Sequence, residues 1–151
     1  MTDLATAWRP FEPGIDQIRQ SDEDRHFAAI DRLRGVLAIY MFAPANEADL
    51  QVQVLRALAT AGIQADREVI AERGRYDLLA RMPGSRIVLE LKVTGSAPAV
   101  ERQAQRYALT DGVDAVVVVT VSNRLARELS RPDGDTLGGK PFAVIALRGS
   151  F

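Results

Sequence analysis

The stretch that most constrains the fold is residues 115–121, which read Ala-Val-Val-Val-Val-Thr-Val. β-Branched side chains suit a pleated strand, and a run without polar alternation has no face to give to water. Such a strand belongs in the middle of a sheet covered on both sides, never at its edge. That places the chain in the α/β class. With 151 residues, 47% of them hydrophobic and 26% charged, it is long enough and apolar enough to bury one such core.

The rest of the chain divides around that strand. Residues 1–46 read as a separate N-terminal extension, serving as a dimerisation element or a lid. It opens with Pro10 and Pro13-Gly14 and then runs into a charged, helix-compatible stretch over residues 15–34, with Ile15, Ile18, Phe27, Ile30 and Leu33 only loosely at helical spacing. The short apolar run 35–42 is expected to be a strand, stopped by Pro44. Asn46 is a good N-cap for a helix over 47–61 with Leu50, Val54, Leu58 and Ala61 as its buried stripe, Asp49 in its first turn and Gly62 as its stop.

Three strand-like stretches follow at 64–71, 75–82 and 86–94, the last two joined by Pro83-Gly84-Ser85, so an antiparallel meander is predicted. Ser96 caps a helix over 97–109, with Pro98 tolerated in its first turn. After the central strand, Ser122 caps a short helix to about residue 130. A polar loop over 132–141 is expected next, Gly138-Gly139-Lys140 within it being flexible, and then a last strand at 142–147. From residue 47 the order is α-β-β-β-α-β-α-β.

Composition removes several function classes. There is no cysteine and the one histidine is His26, so thiolate zinc sites, disulfides and imidazole clusters are excluded. Any metal must take oxygen ligands, which suits Mg²⁺ or Mn²⁺. His26 itself is expected to be solvated. No apolar run reaches the roughly 18 residues that cross a bilayer, and the N-terminus lacks the basic and apolar regions of a signal peptide. A cytoplasmic protein, of a bacterial, archaeal or phage-infected cell, with no membrane partner is the expectation. Gly138-Gly139-Lys140 lacks the spacing and hydroxyl of a phosphate-binding loop, so no nucleotide cofactor is expected.

The formal net charge of −1 hides a polarity along the chain. Residues 1–72 carry 12 acidic and 7 basic side chains, a net of −5, whereas residues 73–151 carry 8 acidic and 12 basic, a net of +4. Seventeen of the basic residues are arginine; the two lysines are Lys92 and Lys140.

Lys92 sits in the run Leu89-Glu90-Leu91-Lys92-Val93. Strand alternation sends Leu89, Leu91 and Val93 into the core and leaves Glu90 and Lys92 together on the other face. If Pro83-Gly84 closes a hairpin, residues whose numbers sum to 167 oppose each other, so Asp77 faces Glu90. Two opposed carboxylates repel unless a cation lies between them, and a divalent metal would resolve the conflict. Taken alone, Glu90 and Lys92 would equally suit a solvated ion pair worth roughly 0–1 kcal/mol.

The spacing of Asp77, Glu90 and Lys92, on the second and third strands after a helix, resembles the PD-(D/E)xK nuclease superfamily. The resemblance spans residues 47 to about 121. It implies a restriction-endonuclease-like, Holliday-junction-resolvase-like αβββαβ core with a mixed central sheet over 47–151. It further implies that Asp77 and Glu90 hold Mg²⁺ or Mn²⁺ with the Leu91 carbonyl, and that Lys92 orients or activates the attacking water. Glu47 matches the helical glutamate that many members add, and Gln103 and Tyr107 match a Gln-x-x-x-Tyr element of several branches. Tyr76 stands where the motif's proline would precede Asp77. Glu47 would serve as well as a first-turn acid against the helix dipole, and Gln103 with Tyr107 as a hydrogen-bonded core pair.

On that resemblance the expected function is a metal-dependent DNA endonuclease, acting on branched or otherwise structured DNA and working as a homodimer. An exonuclease of the same superfamily, or a catalytically idle nucleic-acid-binding or assembly protein, are the alternatives. Arg73, Arg75, Arg102, Arg106, Arg124, Arg127 and Arg131 are the candidates for phosphate contact.

Overall fold

The computed structural model describes residues 14–131 and 136–149; the expected opening at Pro10 and Pro13 and part of the loop 132–141 lie outside them. The described elements are α1 (Ile15–Leu37), α2 (Glu47–Thr60), β1 (Gln64–Ala71), β2 (Gly74–Met82), β3 (Ser85–Lys92), α3 (Ala97–Ala108), β4 (Ala115–Thr120), α4 (Asn123–Leu129), β5 (Thr136–Leu137) and β6 (Lys140–Ala146). The fold is α/β, with one mixed six-stranded sheet in the order β1-β2-β3-β4-β6-β5. β1, β2 and β3 form the antiparallel meander, β3-β4-β6 are parallel, and β5 pairs back on β6. No described helix is long and apolar enough to cross a membrane.

The valine run does what its composition requires. All six residues of β4 are buried. Val117 and Val119 pack into a core with α1 and α2 on one face, while Val116 and Val118 pack into a second core with α3 and α4 on the other. Each valine therefore stabilises one of two layers, and neither layer is complete without the strand between them.

The expected strand over 35–42 is not formed. Ile30, Leu33 and Leu37 are all buried at three- and four-residue spacing, so α1 carries its inward stripe through the first part of that run and closes on Ala38, whose N–H bonds Arg34 O at 3.0 Å. Beyond the helix Phe42 makes an isolated parallel bridge to Gly149, its N–H bonding Arg148 O at 2.8 Å. The expected separate N-terminal element thus contributes Ile30, Leu33, Leu37 and Phe42 to the same core as Leu50, Val54 and Leu58.

α2 begins as expected, with Asn46 Oδ1 accepting from Asp49 N at 2.8 Å. Its buried stripe is Leu50, Gln51, Val54, Ala57 and Leu58, while Ala61 is only half-buried. Gln51 is tolerated inside because its carbonyl accepts from Arg67 Nε at 3.0 Å. Gly138 and Gly139, at φ 57° and 78°, form the tight turn of the β5-β6 hairpin rather than a loose loop. Lys140 then reaches back to donate to Thr110 O at 2.7 Å.

Candidate active site

β3 places Glu90 and Lys92. Leu89 and Leu91 are fully buried in the α1/α2 core, with half-buried Val93 packed against them, and alternation turns Glu90 and Lys92 to the α3 face, where Val88 packs. Lys92 Nζ lies 3.1 Å from Glu90 Oε1. This is no solvated pair, because Glu90 is only 1% exposed.

The hairpin register is the expected one. From Met82↔Ser85 to Leu78↔Leu89 every paired number sums to 167. The ladder ends there, one step before Asp77 and Glu90 would pair. Asp77 instead turns its carboxylate to the neighbouring strand, where Oδ2 accepts from Leu91 N at 2.9 Å. A side chain has taken over a bond that a regular ladder would give to a main-chain carbonyl.

The cause lies one strand further out. In β1 the pairing to β2 runs from Gln64↔Arg81 to Arg67↔Leu78 and resumes at Val69↔Tyr76, leaving Glu68 and Asp77 unpaired. Glu68 has φ 55°, the only non-glycine at positive φ among the described residues. The two strands change faces at this point. Leu78, Ala80 and Met82 pack with α1 and α2, whereas Tyr76 and Leu79 both pack with α3; Ala65 lies on the first side, and Val69 and Ala71 on the second. Local interruption of this sort is how sheets re-aim a side chain next to a site.

The electrostatics follow from the geometry. Burial, and then the charge of Asp77, push the Glu90 carboxyl up to about 8, with Lys92 pulling the other way. Burial also holds Asp77 above the usual carboxylate range; the Leu91 N–H and Lys92 oppose this, while Glu47 and Glu68 reinforce it. Burial works to lower the Lys92 ammonium, but Glu90, Glu47 and Asp77 outweigh it and leave Lys92 above the ordinary lysine value. No N–H or hydroxyl donates to the buried Glu90 Oε2, and the Asp77 carboxyl lies within hydrogen-bonding reach of the Glu90 carboxyl, a contact that favours its protonated form. A carboxylate oxygen in that condition is costly, and the remedy is a proton or a cation.

Glu47, half-buried at the start of α2, lies within electrostatic reach of both Asp77 and Lys92. It lines an open cleft with Ala45, Asn46, Ala48, Val93 and Thr94. Gln103 and Tyr107 are brought to the site's edge but are held by structure: Gln103 Nε2 donates to the Tyr107 hydroxyl at 2.9 Å, and that hydroxyl donates to Arg75 O at 2.9 Å. Tyr107 is itself buried and packs edge-to-face on Tyr76 at 4.9 Å. Burial chiefly raises its hydroxyl above the ordinary tyrosine value, and the charges of Glu90 and Asp77 add to this. The pair therefore braces β2 where Asp77 leaves the ladder.

The candidate arginines separate into two groups. Arg75 pairs with Glu68 at 3.1 Å, Arg124 bonds Gly95 O and Glu128 at 2.8 Å each, and Arg131 pairs with Glu101. Arg73, Arg102, Arg106 and Arg127 make no side-chain hydrogen bond or ion pair among the described residues. Arg102 and Arg106 line a shallow groove on α3 with Ala99, Gln103 and Leu109.

His26 is not solvated. Its Nδ1 is hydrogen bonded to Ser85 Oγ at 2.7 Å, which fastens α1 to the start of β3, at the end remote from Glu90. Glu68 escaped the reading of the sequence, where it is one more charged residue in a strand; its left-handed backbone has no periodic signature.

Among the described residues no three His, Asp or Glu side chains gather into a ready metal cage. The oxygen donors at hand are the Asp77 and Glu90 carboxylates and main-chain carbonyls. Mg²⁺ is commonly held in this way, by one or two carboxylates with water completing its shell. No protein-family model matches the chain, and neither curated proteins nor solved structures provide a match.

Proposed function

We propose that the chain is a metal-dependent nuclease with a restriction-endonuclease-like core, hydrolysing DNA phosphodiester bonds at Asp77, Glu90 and Lys92. The observation that carries this reading is the Glu90 carboxyl, buried with no N–H or hydroxyl donating to its Oε2, beside a second carboxylate and a lysine. A folded domain gains nothing from that arrangement unless something positive occupies it.

Asp77 and Glu90 would hold Mg²⁺ or Mn²⁺, the Leu91 carbonyl completing the protein's share. Bound there, the cation would lower the pKa of water and neutralise phosphate oxygens. The chain's own residues supply the remainder. Glu90 fixes the Lys92 ammonium at 3.1 Å, so the lysine can orient a water or offset charge developing on the phosphate. Asp77 is immobilised by the Leu91 N–H. Tyr107 and Gln103 keep β2 in place beside it. Arg73, Arg102, Arg106 and Arg127 are the candidate arginines left to meet the phosphate backbone.

The test is a panel of linear duplex, single-stranded and four-way-junction DNA incubated with Mn²⁺, on the wild type and on Lys92→Ala. Cleavage of at least one substrate by the wild type, lost in the variant, is expected. Internal cuts would mark an endonuclease and end-dependent loss an exonuclease. An intact panel, or equal cutting by Lys92→Ala, sinks the proposal.

A further inference from the structure

Glu68 occupies a backbone conformation that is strained for a glutamate and costs a glycine almost nothing. The bend it makes serves to re-aim Asp77, and glycine would make the same bend without strain. Five of the seven glycines at positive φ lie in turns and a sixth, Gly74, opens a strand, so that solution is in ordinary use here. A glutamate standing at this position in spite of the strain suggests a use for its carboxylate.

Two uses are in view. Glu68 Oε2 pairs with Arg75 Nε at 3.1 Å, but both side chains are well exposed, at 41% and 67%, and such a solvent-screened pair contributes little. That does not offset the strain. The other use faces the site. Glu68 lies across from Asp77, at the one step where β1 and β2 fail to pair, and its charge acts on the Asp77 carboxyl. An independent sign that a ligand belongs there is Glu90 Oε2, almost wholly buried and unpartnered on the neighbouring strand.

We infer that Glu68 is a positioning residue of the metal site, its carboxylate holding a water of the cation's hydration shell over Asp77 and drawing the cation in by charge. This rests on the metal-site reading above. Carboxylates that orient a metal's surroundings without touching it change affinity by about 10- to 100-fold when removed. Arg75, in this arrangement, is the group that Glu68 releases or shares when the cation arrives.

The test is Mn²⁺ binding by calorimetry on the full chain, without DNA, together with thermal unfolding in EDTA. Glu68→Gln keeps the strain and removes the charge; Glu68→Asn and Glu68→Gly remove both. All three are expected to bind Mn²⁺ at least about tenfold more weakly. Glu68→Gly and Glu68→Asn should unfold at a temperature equal to or above that of the wild type, and this ensures that a folded variant is tested. Arg75→Gln, which frees Glu68 from its ion pair, should bind Mn²⁺ at least as tightly as the wild type does. Wild-type affinity in the three Glu68 variants overturns the inference, as does an Arg75→Gln loss as large as that of Glu68→Gln. If the wild type binds no more Mn²⁺ than Asp77→Asn, the metal site itself is refuted and this inference with it.

Discussion

The two ends of β3 treat polar groups in opposite ways. At its start Ser85 is bonded to His26, Arg86 N donates to Asp114 Oδ2 at 2.7 Å, and nearby Lys140 donates to Thr110 O. Every one of these groups has a partner. At its far end the ladder stops, a glutamate takes a left-handed backbone and the Glu90 carboxylate is left with a bare oxygen. The first end is built for the fold alone. The second is left unfinished within it, which is the state expected of a site whose last component comes from outside.

The largest effects are expected at the unfinished end. Lys92→Ala is expected to reduce cleavage by about 10²- to 10⁴-fold, and Asp77→Asn to abolish Mn²⁺ binding; both are read by single-turnover cleavage and calorimetry. At the finished end, His26→Ala should leave the cleavage rate per folded molecule unchanged.

Stability should sort the ends in the reverse sense. In EDTA at pH 8, Glu90→Gln removes the orphaned carboxylate and should stabilise the fold by about 1–3 kcal/mol while ending activity. His26→Ala removes one bond to buried Ser85 and should destabilise it by about 1 kcal/mol. Denaturant unfolding measures both, and equal signs would erase the distinction.

The pH dependence of the metal-free protein sharpens it further. Glu90 titrates near 4.5 when unfolded and near 8 when folded, so across that window the folded state holds a proton that the unfolded state has lost. Stability must therefore fall as pH rises through the window and level off above about 8. Asp77, also raised, adds to the same slope. Saturating Mn²⁺, or Glu90→Gln, should flatten it in thermal unfolding between pH 5 and 9. The smallest effect expected is on DNA affinity: Arg102→Ala and Arg106→Ala should each reduce the salt dependence of binding by about one counterion, whereas Arg124→Ala, already tied to Gly95 and Glu128, should change it less.

What was legible in the sequence was whatever rests on periodicity. The valines of β4, the alternation that isolates Glu90 and Lys92, the Asn46 and Ser96 caps and the hairpin sum of 167 all come from regular geometry, and all are present. What was illegible departs from it. The end of α1 reads as a strand because residues 35–42 are a continuous apolar run with no polar alternation, in which the helical stripe continued by Leu33 and Leu37 is hidden. The contact between His26 and Ser85 joins residues 59 apart. The turn of Asp77 toward Leu91, and the Glu68 bend that permits it, depend on a broken ladder that no regular pattern announces.

The face change at Glu68 and Asp77 means that β1 and β2 each carry two hydropathy frames, offset by one residue. A substitution tolerated on the outward side before the switch would fall on the inward side beyond it. Any alignment of this chain by hydrophobic pattern alone would slip by one position along these strands, and would place the wrong residue opposite Asp77.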